Sequence, residues 1–98
     1  MNIDKQLMLL NLKEGDYIAF GFNYNGGIPK EIIVDNITKV YEDRVLVHFM
    51  YGYHSMAEFI DKKDIIAVGD NIFGTGKIKG WGGKFIILLE NHPLLKTE

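Results

Sequence analysis

Apolar and polar residues alternate along most of this chain in short runs, broken by clusters of Gly, Asn, Asp and Pro. After a turn at 13–16 (KEGD), DYIAFGF places Ile18, Phe20 and Phe22 on one parity and Tyr17, Ala19 and Gly21 on the other. That pattern predicts a strand. NYNGGIP at 23–29 reads as a turn, and Pro29 has no N–H to give a central ladder. EIIVDNITKVY at 31–41 is β-rich, but its parity slips near Asp35 and Asn36. Ile32 and Val34 share one phase and Ile37 takes the other, as a bulge or a sharp bend between two sheets would require.

Beyond a tight turn at 42–44, VLVHFM points Val45, Val47 and Phe49 one way. YGYHS is a further turn, MAEFI (56–60) a short strand, DKKD (61–64) a single turn and IIAV (65–68) the next strand. Residues 72–78 and 84–90 predict a closing hairpin joined across 79–83, and NHPLLKTE is a tail because Pro93 ends the strand. Before all of these, Ile3, Leu7 and Leu10 recur at helical spacing, with Met8 and Leu12 filling the stripe. A short N-terminal helix is expected there.

Five to seven short strands with frequent turns predict a mostly-β domain, a small barrel or sandwich. The expected layout is one domain over 1–98: helix at 1–12, barrel-like core at 13–68, C-terminal hairpin at 69–91 and tail at 92–98. From GDYIAFGF through ITKVYEDRVLVHFMYGYHSMAEFIDKKDIIAV, the chain resembles the general layout of SH3-like barrels. In these a Gly-Asp turn opens the first strand, the middle strands form a tight hairpin and a single turn precedes the last strand. The resemblance covers about 13–68 and implies a fold, one that hosts protein, peptide and nucleic-acid binders, and no residue-level function.

Composition narrows this picture. A chain of 98 residues with 47% hydrophobic content suits one compact core rather than disorder. With no cysteine, disulfides and thiolate metal sites are excluded, and packing must hold the fold, aided by self-association. No stretch approaches the ~20 apolar residues that a membrane helix needs, and nothing at 1–12 resembles a secretory signal, so a soluble cytoplasmic protein is expected. Arg44 is the single arginine, and Ile and Asn are frequent. Such usage goes with an AT-rich genome, such as that of a low-GC bacterium or one of its phages.

The net charge is −2, but it is unevenly spread. All thirteen acids lie outside 71–89, while Lys77, Lys79 and Lys84 lie inside it. There FGTGKIKGWGGKF gathers five of the eleven glycines and the only tryptophan. It is no P-loop, because Gly76-Lys77 is followed by Ile78 and Gly83-Lys84 by Phe85 where Ser or Thr must bind Mg²⁺. G-x-G-x-x-G fails by one residue at Gly80. The plainer reading makes Gly74 and Gly76 mark a crowded strand and Gly80, Gly82 and Gly83 serve a turn. The sharper one adds a ligand: Lys77, Lys79 and Lys84 neutralise phosphates, Trp81 stacks on a base, and Gly80 and Gly82 allow close approach. Trp81 could instead anchor a protein contact.

Other constellations are weaker. Tyr41, Phe49, Tyr51, Tyr53 and Phe59 could form an aromatic cage or peptide groove. As plainer alternatives, Phe49 and Phe59 are core and the tyrosines are turn residues with wet hydroxyls. His48, His54 and His92 share no metal-ligand spacing, and no calcium loop is present, so no metal or cofactor is expected. Ser55, the only serine, adjoins His54, but neighbours in a strand face opposite ways, which disfavours a nucleophile pair.

Finally, 84–90 is apolar on both parities, and Leu46 and Met50 lie opposite the core side of their strand. A strand apolar on both faces must be covered twice, so Leu46, Met50, Ile86 and Leu88, with Tyr51 and Tyr53, are expected interface residues of a homo-oligomer or a protein complex. Two functions follow, neither of them enzymatic. The first is sequestration of an anionic ligand, a nucleotide-like molecule or short single-stranded nucleic acid, at Lys77, Lys79, Gly80, Trp81, Gly82 and Lys84. The second is a protein-blocking inhibitor or adaptor of the phage or mobile-element type, acting through an apolar and aromatic surface.

Overall fold

The structure, a computed structural model, describes residues 9–69 and 85–96. Strands β1 (Tyr17–Phe22), β2 (Glu31–Val40), β3 (Arg44–Tyr51), β4 (His54–Asp61), β5 (Ile65–Gly69) and β6 (Phe85–Ile87) are joined by short turns, with 3₁₀ turns at Lys62–Asp64 and Pro93–Lys96. They form one antiparallel six-stranded sheet in the order β4-β3-β2-β1-β5-β6.

β2 exchanges partners where its apolar parity changes, after Asn36, and the sheet turns its corner there. Residues Glu31 to Asn36 pair with β1, whereas Ile37 to Val40 pair with β3. Two consecutive partners, Val47 and Leu46, face Ile37 and Lys39, so Thr38 is the extra residue of a bulge. One long strand thus serves both halves of the sheet. Val34 is buried on one side of it and Ile37 on the other.

The larger core lies inside this bend. Ile18, Phe20 and Phe22 of β1 meet Val45, Val47 and Phe49 of β3, with Ile37, Ile60, Ile65 and Val68 around them. The two predicted alternations, 18/20/22 and 45/47/49, therefore face each other across one core. β1 is buried on its second face as well, where Ala19 joins Val34, Ile66 and Ala67 in a smaller cluster. Ile66 and Ala67 share that face because β5 is bulged: Ala67 pairs with Ala19, but Ile65 pairs with Phe20.

A strand covered twice needs two covers, and the second comes from the C-terminal end. β6 pairs with β5 through Ala67–Ile87, Val68–Ile86 and Gly69–Phe85. The expected tail then folds back: His92 N–H donates to Leu89 O and Leu95 N–H to His92 O, at 3.0 Å each. Leu95 packs on the smaller cluster together with Ile87 and Leu89. Its neighbour Leu94 comes so close to Gly21 that a Cβ there would lie 3.3 Å from Leu94 Cδ1 and 2.7 Å from Pro29 Cβ. Glycine at 21 is what lets the β1–β2 loop and the C-terminal turn lie against β1.

Two expectations are corrected. Among the described residues the sheet does not close into a barrel: β4 and β6 are its edges. β6 occupies the outer side of β5, and a groove of about 460 Å³ separates β4 from the Phe20, Gly21 and Pro29 side of the bend. The N-terminal helix is not supported either. Residues 1–8 lie outside the described residues; among the described ones Leu9 and Leu10 alone are α-helical, and Asn11 is already in a turn. Leu9 and Leu12 face the core, while Leu10, expected in the buried stripe, is 75% exposed. A turn tied by Lys13 follows at once. Its N–H donates to Asp16 Oδ2, its ammonium sits 3.1 Å from Asp16 Oδ1, and Gly15 takes φ +92°. The first arm of the predicted closing hairpin, 72–78, also lies outside the described residues.

Candidate functional site

The β3–β4 hairpin sets what the molecule shows to solvent. Its pairs run without slip from Arg44–Asp61 to Tyr51–His54. Alternation turns Val45, Val47, Phe49 and Ile60 into the core and leaves Arg44, Leu46, His48 and Met50 of β3 beside Asp61, Phe59, Ala57 and Ser55 of β4 on the outer face. Met50 is 64% and Phe59 54% exposed, and Leu46, directly opposite Phe59, is half-buried. Arg44 lies over the Phe59 ring at 4.5 Å and the Tyr41 ring at 5.7 Å, so the guanidinium covers part of this apolar strip.

At one end of the hairpin an aromatic column runs from core to surface. Phe20 meets Phe49 edge-on at 5.6 Å, Phe49 meets Phe22 at 5.2 Å, and Phe22 meets Tyr51 at 5.3 Å. Tyr24 then stacks on Tyr51 at 5.4 Å with the rings nearly parallel, and lies 5.3 Å from His54. The loop that carries Tyr24 is held by Asn23, which accepts from the Asn25 N–H and donates to Ile28 O. Ile28 stands out from it, exposed. Gly52 takes φ +63° at the first position of a two-residue hairpin loop, where a left-handed residue is needed. Tyr53, the second position, is left fully exposed.

The Tyr51 hydroxyl donates to Glu31 Oε2 at 2.6 Å, bridging β3 to the start of β2 where the two strands have splayed apart. This hydrogen bond is the main reason that the phenol is held above its ordinary 10.0; burial and the Glu31 charge add to it. Folding therefore favours the protonated phenol, so its contribution is complete below pH 10 and fades as pH rises through the raised value. Two outcomes are expected. The stability gap between the wild type and Tyr51→Phe is flat near neutrality and shrinks in alkali, measured by denaturant titration across pH. In phenolate absorbance, Glu31→Gln brings the Tyr51 component back toward 10.0.

Of the residues singled out by sequence, Leu46, Met50, Tyr51 and Tyr53 are brought together on this hairpin, and Ile86 is 52% exposed on β6. Leu88 is not on an exposed face; it is buried in the larger core, because β6 lies beside β5 whose two faces are both covered. Phe59, read as core alongside Phe49, is exposed. Lys77, Lys79, Gly80, Trp81, Gly82 and Lys84 lie outside the described residues. Tyr24, Ile28 and the acidic flank of β4 were missed. The only cue to them was that β4 shares its alternation with β3 across a two-residue loop.

His54 and Ser55 face opposite sides of the sheet, one opposite Tyr51 and the other opposite Met50. His48 Nδ1 lies 3.0 Å from Thr38 Oγ1, the bulge residue. Among the described residues no group of three His, Cys, Asp or Glu is placed to hold a metal ion, and no helix is long and apolar enough to cross a membrane. Comparison with protein-family models, with curated proteins and with solved structures found no match to this chain.

Proposed function

We propose that this chain is a non-catalytic protein-binding module, an inhibitor or adaptor that docks on a larger protein through the outer face of its β3–β4 hairpin. The observation that carries this reading is the shared exposure of Met50, Phe59 and Tyr53 on one hairpin, beside Leu46 and Tyr41. Burying one large apolar side chain is worth roughly 1.5–3 kcal/mol, so a few such anchors supply the hot spot of an interface. Self-association would use the same strip, and a homo-oligomer is the version of this reading in which the partner is another copy.

The test is capture of a partner from lysate of the source organism, followed by a salt wash. The wild type is expected to hold its partner at high salt, or to sediment as an oligomer. Met50→Asp should release the partner or the second copy while melting within about 1 kcal/mol of the wild type, as surface substitutions do. A Met50→Asp protein that retains every contact of the wild type overturns the reading.

A second reading is favoured by one sequence observation, the three lysines and no acid of 71–89. It is sequestration of an anionic, nucleotide-like ligand or short single-stranded nucleic acid at Lys77, Lys79, Trp81 and Lys84. Salt discriminates between the two, because phosphate contacts weaken steeply with ionic strength and apolar ones do not.

A further inference from the structure

β4 pairs with β3 alone among the described residues, so alternate residues along its eight-residue length turn their N–H and C=O away from the sheet. That edge does not look into open solvent. It borders the groove of about 460 Å³ that keeps the barrel open, a volume within the roughly 300–1,000 Å³ of ordinary ligand sites. Gly21 and Pro29 form part of the opposite wall, and Pro29 brings no N–H to compete for the β4 carbonyls.

The charge of the groove is one-sided. Glu58 and Asp61 of β4 and Asp64 of the 3₁₀ turn line it, against a single basic group, His92. The turn is pinned in place by Lys62 N–H, which donates to Asp43 O at 2.9 Å. None of the three carboxylates is in an ion pair among the described residues. Phe59, exposed on the same strand, gives the edge an apolar outer side.

We infer that β4 is a docking edge for an extended, basic segment of the partner protein, taken up by strand addition. This rests on the protein-binding reading above and names the chemistry of the partner. The unpaired edge calls for a strand, since main-chain bonds supply affinity in that mode and alternate side chains supply specificity. Glu58, on the inward side of β4, and Asp64 call for Lys or Arg on the side chains that face the groove, and with Asp61 they repel a phosphate backbone. The outward side, where Phe59 lies and Asp61 already faces Arg44 across the hairpin, calls for apolar residues at the alternate positions. A segment that alternates basic and apolar residues meets all three demands.

The probe is a short acetylated, amidated peptide alternating valine and lysine, added to the full chain labelled with ¹⁵N. Shifts and slowed amide exchange are expected along 57–60, with loss of about tenfold or more in affinity when alternate peptide amides are N-methylated, which removes the ladder without touching the protein. A peptide with glutamate in place of lysine should not bind, and Glu58→Lys with Asp64→Lys should weaken the lysine peptide by a similar factor. Equal binding of the N-methylated or the glutamate peptide overturns the inference, as does absence of binding. Shifts confined to Tyr24 and Tyr53 also overturn it, yet leave the outer-face reading standing. Conversely, a neutral Met50→Asp result sinks that reading without moving the β4 amides.

Discussion

Phe20→Ala is expected to remove about 3–5 kcal/mol from the stability of this protein, the range for deleting a buried phenylalanine ring. Phe20 has no exposed surface and sits on the central strand β1, between β2 and β5. Its ring meets Phe49, which meets Phe22, which meets Tyr51, so the column loses its innermost member and the rings above it lose their support. β1 cannot shift to fill the space, because its other face is fixed by Ala19 against Val34, Ile66 and Ala67. Small domains are stable by only about 5–15 kcal/mol, and each kcal/mol lost costs a domain of this size roughly 4–8 °C in melting temperature. The substitution should therefore lower Tm severely or prevent folding. Phe59→Ala is the control. Its ring is half-exposed and gives up the Arg44 stacking and a tilted contact with Tyr41 at 5.9 Å, together roughly 1–2 kcal/mol. Denaturant unfolding of both variants checks the pair. Equal losses would mean that Phe20 is not in the core.

The contrast between these two phenylalanines shows where sequence reasoning holds and where it stops. Phe20 belongs to an alternation of three large residues with small ones between, and such a strand identifies its own buried side. The place where β2 changes partners was legible as the change of apolar parity near Asp35 and Asn36, but that change reflects a strand buried on both sides: Val34 and Ile37, three apart, face the two different clusters, and the bulge at Thr38 comes only after Ile37. Phe59 has no such context. MAEFI is apolar at Met56 and Ile60 on one parity and at Ala57 and Phe59 on the other, so its buried side depends on pairing with Val45 and Val47 across the hairpin. Register of this kind is a long-range property.

Closure is long-range too. The order of turns and strands over 13–68 is compatible with a barrel, but whether β4 reaches β1 depends on what fills the gap. The β1–β2 loop and a C-terminal turn lie against β1 at Gly21. Pro93 predicts the end of a strand, and nothing in the residues after it predicts more than a tail. Proline also suits the first turn of a helix, and the 3₁₀ turn that starts there carries the leucine that covers the smaller cluster. Of the candidate site, Leu46 and Met50 were legible from strand parity alone. Tyr24 and the acidic edge were not, because they become neighbours of the hairpin and groove only after the sheet bends.

Leu88 carries the second large effect. Leu88→Ala is expected to cost about 2–5 kcal/mol, as for other buried leucines, although an alternating reading of 84–90 puts Leu88 on the same side as the exposed Ile86. Both side chains do fall on the larger-core side of β6, where Ile86 stands opposite Val68 at the rim. Leu88 lies further in, 5% exposed, and its N–H donates to Ile66 O at 2.7 Å, with Leu89 N–H on the same carbonyl at 3.2 Å. That carbonyl belongs to the bulge residue of β5, so the hydrophobic contact and the chain reversal are made at one point. Losing the side chain leaves a cavity beside Ile65 and Val68. Leu88→Asp, which would bury a charge there, should not fold. Ile86→Asp should fold with a loss of no more than about 1 kcal/mol and act, if at all, on association. Size-exclusion and denaturant unfolding of both aspartate variants separate the roles. A folded Leu88→Asp protein with altered oligomeric state would return Leu88 to the surface and displace β6 from the core.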